Sequence, residues 1–310
     1  MTRYLALRIG QAILVIVGVS FCAFVLVRLV PGDPVRLVLG PKAPESAVLA
    51  VRHSLGLDRP LPSQYLTYLG EIVRGHLGIS ITQRIPVASI VRPRIMPSLL
   101  LIGYALLIAV VISIPLGIIA ATHRNRAADH AIRGASTVTL AMPTFWLGVI
   151  LALLFGVKLK ILPTSGYGNS FSEHLQSLTL PAVTVGALVA PLLVRTLRSS
   201  ASEVLGREFV EAAHARGLGD RRVLYAHVLR NALLPLVTVL GVLLGALLSW
   251  TVAAENVFNI PGLGSLLVSS VTQRDFPTIQ ALLWIFGSVV VVVNLLTDLA
   301  YLVLDPRVRL

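Results

Sequence analysis

The chain has 310 residues, of which 55% are hydrophobic and 13% are charged, and its mean hydropathy is +0.84. This composition is far more apolar than that of a soluble globular domain, so the soluble classes of enzyme and binding protein are excluded. The formal net charge of +12 indicates basic loops facing anionic lipid, and it is a poor indicator of nucleic-acid binding here. Cys22 is the only cysteine, which excludes an internal disulfide and a thiolate metal cluster.

Six apolar segments follow one another along the chain, and each is long enough for a membrane helix, which needs about 20 apolar residues. They lack the two-residue alternation of barrel strands. The first follows two arginines, as in a signal peptide, but its length predicts a retained anchor. The predicted fold is an all-α integral membrane protein with six transmembrane helices, at residues 9–30, 98–121, 135–157, 178–194, 232–254 and 276–304.

Basic residues determine the predicted orientation. Arginines concentrate in the N-terminus, in the connections 122–134 and 195–231, and in the C-terminus. The positive-inside rule places such segments in the cytoplasm, so both termini are predicted to be cytoplasmic. Prolines that remove a backbone hydrogen bond and permit kinks occur within the predicted spans at Pro115, Pro143, Pro181, Pro191 and Pro235.

The organisation predicted from these spans has three parts. Residues 1–30 form the cytoplasmic N-terminus and first helix, residues 31–97 an extracytoplasmic segment, and residues 98–310 the core with the other five helices. The extracytoplasmic segment is too long for a simple connector and is predicted to be a small domain with a helical cap. A structural lid and a docking surface for a substrate-delivering protein are both compatible with it. Residues at helical spacing in the cap are Tyr65, Leu66, Leu69, Ile72 and Val73.

Motifs for catalysis are absent from the sequence. It contains no Gly-x-x-x-x-Gly-Lys-Ser/Thr phosphate loop, no His-Glu-x-x-His and no Gly-x-Ser-x-Gly. An enzyme, a cofactor site and a metal site are therefore not predicted in this chain. Asp298 is the only acidic residue within a predicted span, and its charge would cost about 2.5–3.5 kcal/mol at mid-membrane. It leaves an ion-coupled secondary transporter as an alternative, whereas kinked spans argue against a scaffold or receptor.

The 195–231 loop is the longest predicted cytoplasmic connection. Good helix formers from Ser202 to Arg216 predict a first helix, and Gly217 permits the positive φ of a turn at its C-terminus. Asp220 is predicted to cap the N-terminus of a second helix that runs into the next span. Two interpretations remain open: a basic surface helix that binds anionic lipid, or a short helix that fits a cleft on a cytoplasmic partner.

One motif in this loop resembles a known family. Glu211-Ala212-Ala213 followed by Gly217 resembles the EAA signature of ABC importer permeases. Two departures from the family pattern are Leu234-Pro235, which comes later than in the general signature, and His76, where the branch commonly has aspartate. Further stretches along the whole chain resemble the dipeptide/oligopeptide branch of that family, at residues 29–34, 55–60, 209–218, 227–235, 255–264 and 304–309.

The resemblance implies that the 195–231 loop docks on an ATP-binding subunit. Between Glu255 and Phe276, a short re-entrant gate helix and an ordinary loop are both compatible with the sequence. The residues implied in coupling are Glu211, Ala212, Ala213, Arg216, Gly217, Leu218, Asp220 and Arg221. The residues implied in structure or gating of the path are Asp33, Glu255, Pro261, Gly262, Asn294 and Asp298.

By the same resemblance, the chain is one permease subunit of an ATP-driven importer in the inner membrane of a prokaryote. It is expected to hold no catalytic residue, cofactor or metal itself. The implied partners are a second homologous permease, two ATPase subunits that bind ATP and magnesium, an extracytoplasmic substrate-binding protein, and membrane lipid, without nucleic acid. Short peptides are the predicted substrate, and nickel or glutathione-like solutes are the alternative that the same architecture permits.

Overall fold

The computed structural model describes residues 2–29, 34–40, 42–54 and 58–304. These residues are nearly all helical, as predicted, and the only β-type pairing within them is an isolated bridge between Ile79 and Pro86. The first eight helices are α1 (Thr2–Leu29), α2 (Pro34–Leu39), α3 (Glu45–Ser54), α4 (Leu61–Val73), α5 (Val87–Thr122), α6 (Ala127–Ala141), α7 (Thr144–Leu151) with a π-helical continuation (Ala152–Lys158), and α8 (Phe171–Leu205). The rest are α9 (Glu208–Ala215), α10 (Asp220–Val223) with a π-helical continuation (Leu224–Leu229), α11 (Arg230–Ala232), α12 (Leu234–Val257), α13 (Leu263–Gln273) and α14 (Phe276–Leu304).

Five helices are long and apolar enough to cross a membrane: Leu7–Leu26 within α1, then α5, α8, α12 and Phe276–Thr297 within α14. Each corresponds to a predicted span. The third predicted span, 135–157, is not one continuous helix, because it is divided between α6 and α7, which are bent by 104°. If this bent pair is counted as one span, the total is six.

Met142 and Pro143 form the break between α6 and α7. Both residues have extended backbone angles, with ψ of 128° at Met142 and 138° at Pro143. Proline disfavours a helical conformation in the residue before it and lacks the N–H that would bond to the preceding turn. The sequence predicted only a kink at Pro143, since apolar residues on both sides suggested a single span.

Two helices extend furthest beyond the predicted spans. α5 begins at Val87 and α8 runs from Phe171 to Leu205, so the helices continue into the polar flanks of their apolar runs. Arginine, glutamate and glutamine are good helix formers, so the end of an apolar run does not end a helix. Ser170 fixes the start of α8, because its hydroxyl accepts a hydrogen bond from the Glu173 N–H at 3.3 Å.

The chain divides into two compact units, described separately below. The amino-terminal unit comprises Met1–Ile95 with Ser265–Leu295, and the core unit comprises Met96–Gly264 with Leu296–Leu310. In the core unit α8 is buried along most of its length, and α6, α7 and α12 pack on it. α5 approaches α8 closely at Gly186, where an added Cβ would lie 2.9 Å from the Ala105 carbonyl oxygen.

In the amino-terminal unit, α4 packs on α1 through aromatic side chains. The predicted helical spacing in the cap is confirmed by α4, and the rings of Tyr65 and Tyr68 lie 5.2 and 5.7 Å from that of Phe24.

Asp275 makes a second set of contacts in the amino-terminal unit; it is 3% exposed and immediately precedes α14. Its carboxylate accepts hydrogen bonds from the Ile81 N–H at 3.0 Å, the Thr278 hydroxyl at 2.8 Å and the Ser80 hydroxyl. These bonds tie the turn around residue 81 to the start of α14.

Candidate functional site

The 195–231 loop contains a short helix that ends in a glycine turn. The first eleven residues of the loop belong to α8. The sequence predicted a single helix from Ser202 to Arg216, and this prediction is wrong, because the helix breaks at Gly206 between α8 and α9. Gly217 follows α9 with a φ of +81°. Its N–H donates to the His214 carbonyl at 2.8 Å, and the Leu218 N–H donates to the Ala213 carbonyl at 3.2 Å. This pair of bonds is the Schellman arrangement of a left-handed helix cap, so the predicted role of Gly217 in the turn is confirmed.

The two faces of α9 have different surroundings. Val210 and Ala213 are 2% and 8% exposed and belong to the core of the unit. Residues at helical spacing on the other face are all exposed: Glu208, Glu211, Ala212 and Ala215. The exposed face is therefore shallow along its alanines and acidic towards the helix N-terminus, where the helix dipole favours negative charge.

The second helix of the loop begins one residue earlier than predicted. Gly219 occupies the N-cap position, and Asp220 is the first helical residue of α10 and makes no capping bond. Asp220 as N-cap is therefore wrong, although its charge in the first turn still complements the dipole. Its carboxylate lies 3.2 Å from His214 Nε2, across the glycine turn. The Asp220 side chain is 99% exposed, so this pair adds little stability.

The structure separates the eight predicted coupling residues into two groups. Ala213 is buried and Leu218 is half-buried against the core, so these two hold the loop in place. The other six form the outward surface of the loop: Glu211, Ala212, Arg216, Gly217, Asp220 and Arg221 are exposed. The site thus consists of a small rigid surface mounted on the core unit.

A buried ion pair beneath this loop was missed by the sequence analysis. Asp129, in the first turn of α6, is fully buried, and Arg198 lies on α8 two turns before its end. Arg198 Nε and Nη2 donate to the two carboxylate oxygens of Asp129 at 2.5 and 2.6 Å, and the Asn125 N–H donates at 3.0 Å. This bidentate geometry is the strongest form of a carboxylate–guanidinium contact. It joins α6 and its preceding turn to the helix from which α9 departs.

A second buried carboxylate lies where α12 ends. Glu255 is 1% exposed and accepts a hydrogen bond from the Ser98 hydroxyl at 2.6 Å, and Ser98 Oγ in turn accepts the Leu263 N–H at 2.8 Å. Gly262 lies against the Glu255 carboxylate, since an added Cβ would come closer than 3.0 Å to it. Glu255, Pro261 and Gly262 therefore lie in one turn, and α13 begins directly after it. The Glu255–Phe276 region contains a helix rather than an ordinary loop.

Comparison with known proteins identifies the family. Residues 113–310 match the model of the binding-protein-dependent transport system inner membrane component, and residues 1–88 match the model of the N-terminal part of such membrane components. The chain belongs to this family. Over 309 residues it is 38% identical to the glutathione transport system permease protein GsiC of Escherichia coli (strain K12), covering 100% of this chain and 99% of that one. Over 340 residues it is 34% identical to the dipeptide transport system permease protein DppB of the same strain, with the same coverage.

This family consists of inner-membrane permease subunits, so the chain is a multi-pass inner-membrane permease and not an enzyme. The permease has three further predicted site residues, Asp33, Asn294 and Asp298. Asn294 is exposed on α14, and the side chain of Asp298 on the same helix lies outside the described part. Asp33 also lies outside the described residues. His76 is exposed, and its Nδ1 lies 2.8 Å from a carboxylate oxygen of Glu71.

Asp129 and Asp275 are the polar residues of the permease that sequence reasoning overlooked. Asp275 has a local signal, because an aspartate directly before a long apolar run is a typical helix start. Asp129 has a weaker one: it is the single acidic residue in the basic connection 122–134. Its partner is 69 residues away in the chain, and neither spacing nor composition indicates that contact.

Proposed function

We propose that this permease forms half of the translocation path of an ATP-driven importer of short peptides. The 195–231 loop docks on an ATPase subunit through the exposed face of α9. The observation that carries the proposal is the rigid mounting of α9, which is capped at Gly217 and fixed to the core through Val210 and Ala213. A helix held this way transmits a push to its scaffold, whereas a lipid-binding surface helix needs no such mounting.

The proposed mechanism is rigid-body switching. ATP and magnesium bind to two ATPase subunits, which close on each other and displace α9. Gly206 and Arg207 alone separate α9 from α8, so the displacement reaches α8 directly. The Asp129–Arg198 pair then couples α8 to α6. Movements of packed helices by small rigid rotations are the usual way in which such a push opens and closes a path.

The proposed topology has six spans and both termini in the cytoplasm, with α6 and α7 counted as one broken span and residues 31–97 mainly outside. Four crossings then separate the N-terminus from the 195–231 loop, so both lie on the same side. If α6 and α7 did not cross, only three crossings would separate them and the loop would face the opposite side. The arginines of both segments support the same side.

The substrate proposal draws on the relatives. One is named for dipeptide and others for glutathione, which is itself a tripeptide derivative. A short peptide is the chemistry that these two names share. Glutathione is the second candidate, because the chain is 38% identical to the glutathione permease and 34% identical to the dipeptide permease. Nickel is the third solute to be tested in an uptake assay. The proposed partners are a homologous second permease, since six helices rarely enclose a large polar path alone, and an external substrate-binding protein.

Co-purification from the native membrane tests this function. We expect the tagged permease to retain a second permease and an ATPase, and Glu211→Arg to lose the ATPase alone, because the reversed charge lies in the centre of the proposed contact. Glu45→Arg, an exposed acidic residue on α3, is the matched control and should retain both. Equal ATPase recovery with Glu211→Arg, or transport by the isolated permease without ATP, would contradict the proposal.

A further inference from the structure

α4 is attached to α1 within the apolar length of that helix. The Tyr65 hydroxyl donates a hydrogen bond to the Val17 carbonyl at 3.0 Å and lies 2.8 Å from Ser20 Oγ. The Tyr65 ring also makes edge contacts with Phe21 and Phe24, at centroid distances of 5.5 and 5.2 Å. All four partners belong to the membrane-crossing stretch Leu7–Leu26.

The depth of these contacts follows from helix geometry. With a rise of about 1.5 Å per residue, Phe24 lies about 3 Å and Ser20 about 9 Å from the Leu26 end of that stretch. Val17 lies about 14 Å from the same end, close to the middle of a hydrocarbon core roughly 30 Å thick. α4 therefore contacts α1 below the membrane surface, although it belongs to the segment that the sequence assigns to the aqueous exterior.

The surface of α4 suits that depth. Tyr65, Tyr68 and Ile72 lie on one face at helical spacing, and Ile72 is 6% exposed. Leu66 and Val73 lie on the adjacent face and are 68% and 86% exposed, and Leu69 lies between the two faces. Together these residues form an apolar arc of about 160°, wider than a neighbour such as α1 covers.

The charged group of α4 lies outside this arc. The only charged residue of the helix is Glu71, near its C-terminal end, where it contacts His76 at 2.8 Å and Arg74 at 3.5 Å. The Tyr68 hydroxyl is buried and has no hydrogen-bond partner within the described ranges. An amphipathic helix with its apolar face sunk about 5–10 Å below the headgroups is the form that interfacial helices take.

We propose that α4 is an interfacial helix that lies in the outer leaflet beside α1, with Leu66, Leu69 and Val73 in contact with lipid acyl chains. The Tyr65 bond to Val17 fixes the helix at this depth. It satisfies a polar hydroxyl internally, as an apolar medium requires. Part of the predicted aqueous cap thus belongs to the membrane, and this holds whatever solute the permease carries.

Spin labels on single cysteines test this placement. In a Cys22→Ser background, labels are introduced singly at Leu66, Val73 and Thr67 in the permease with its partners, reconstituted in phospholipid vesicles. Leu14, which is 73% exposed on α1, serves as the lipid standard, and the exposed Lys42 serves as the water standard. Collision rates with oxygen, which partitions into lipid, and with a water-soluble nickel chelate are then compared.

We expect the ratio of oxygen to nickel collisions at Leu66 and Val73 to approach that at Leu14, and the ratio at Thr67 to lie nearer that at Lys42. Thr67 is the matched control because it lies on the polar side of the same helix. Ratios at Leu66 and Val73 equal to the Lys42 value would place α4 in water and overturn the proposal. Low rates with both reagents would show a protein partner on this face and would overturn it equally. Leu69→Cys replaces any labelled variant that does not assemble.

Discussion

Replacement of Gly217 tests the backbone conformation of the turn separately from steric contacts around it. The residue has a φ of +81°, and no atom lies within 4 Å of an added Cβ. A side chain here meets no neighbour within the permease, so its effect inside this chain arises from the left-handed backbone alone. That backbone costs an ordinary L-residue about 1–2 kcal/mol, asparagine less, and a β-branched residue more. Function is therefore expected to decline in the order glycine, asparagine, alanine, valine.

The size of the effect depends on how stable the helix α9 is. A helix of eight residues is unstable by itself and depends on its cap and on the packing of Val210 and Ala213. A cost of 1–2 kcal/mol changes the ratio of capped to uncapped loop by about 5- to 30-fold. We expect Gly217→Ala to lower ATP-driven uptake into vesicles by up to that factor and Gly217→Val to abolish it. Insertion into the membrane should be unchanged, because the apolar spans are unaffected.

Gly219 provides the matched control, because it lies two residues away and its added Cβ also meets open space. Its φ is −68°, which any residue adopts, so Gly219→Ala should transport at close to the wild-type rate. Uptake and stimulation of the partner ATPase are measured in parallel for each variant. Wild-type values for Gly217→Val would refute the role of the turn. An asparagine variant as inactive as valine would show that the backbone angle is not the cause.

Two further predictions concern the buried carboxylates of the core unit. Arg198→Met should lower the thermal stability of the purified complex strongly, by about 3–5 kcal/mol, because it leaves the Asp129 charge buried and unpaired. The double variant with Asp129→Leu should recover much of that loss. A double variant no more stable than the single one would contradict the ion-pair assignment. Gly262→Ala should cost about 1–3 kcal/mol in the same thermal assay, because the added methyl displaces the Glu255 carboxylate from Ser98. Gly103→Ala, on α5 with open space around it, is its control, and equal stability of these two variants would contradict the predicted clash.

The elements that the sequence predicted well are those fixed by local composition. Apolar runs of membrane length locate the long helices, and a glycine after a charged helical stretch locates the turn at Gly217. The ends of helices were predicted poorly, since α5 and α8 continue into polar residues that are themselves good helix formers. At Pro143 the local signal was present, but continuous apolarity outweighed it, and the extent of the bend depends on packing that the sequence does not describe.

Contacts between distant residues account for the rest of what was missed. Arg198 counted as one of several basic residues that orient the chain, and Asp129 as a minor exception, until the fold brought them together. Asp275 and its bonds to the turn at Ile81 are similar, because 194 residues separate the two. The proposed placement of α4 in the membrane differs from the sequence prediction for another reason: the average polarity of residues 31–97 conceals one helix whose apolar side chains are concentrated on two adjacent faces.

The order of features along α8 explains how one helix would serve the proposed coupling. Its 35 residues span about 52 Å, longer than the roughly 30 Å hydrocarbon core, so it reaches from the 195–231 loop through the whole unit. Arg198 lies near its loop end, and Pro191 lies two turns further in, where the missing N–H leaves a backbone bond unmade. The segment between Pro191 and α9 is thus attached to α6 through the Asp129–Arg198 pair. In the proposed mechanism a push on α9 would move α6 and the end of α8 together, and Pro191 would be the point at which that movement becomes a change of helix direction.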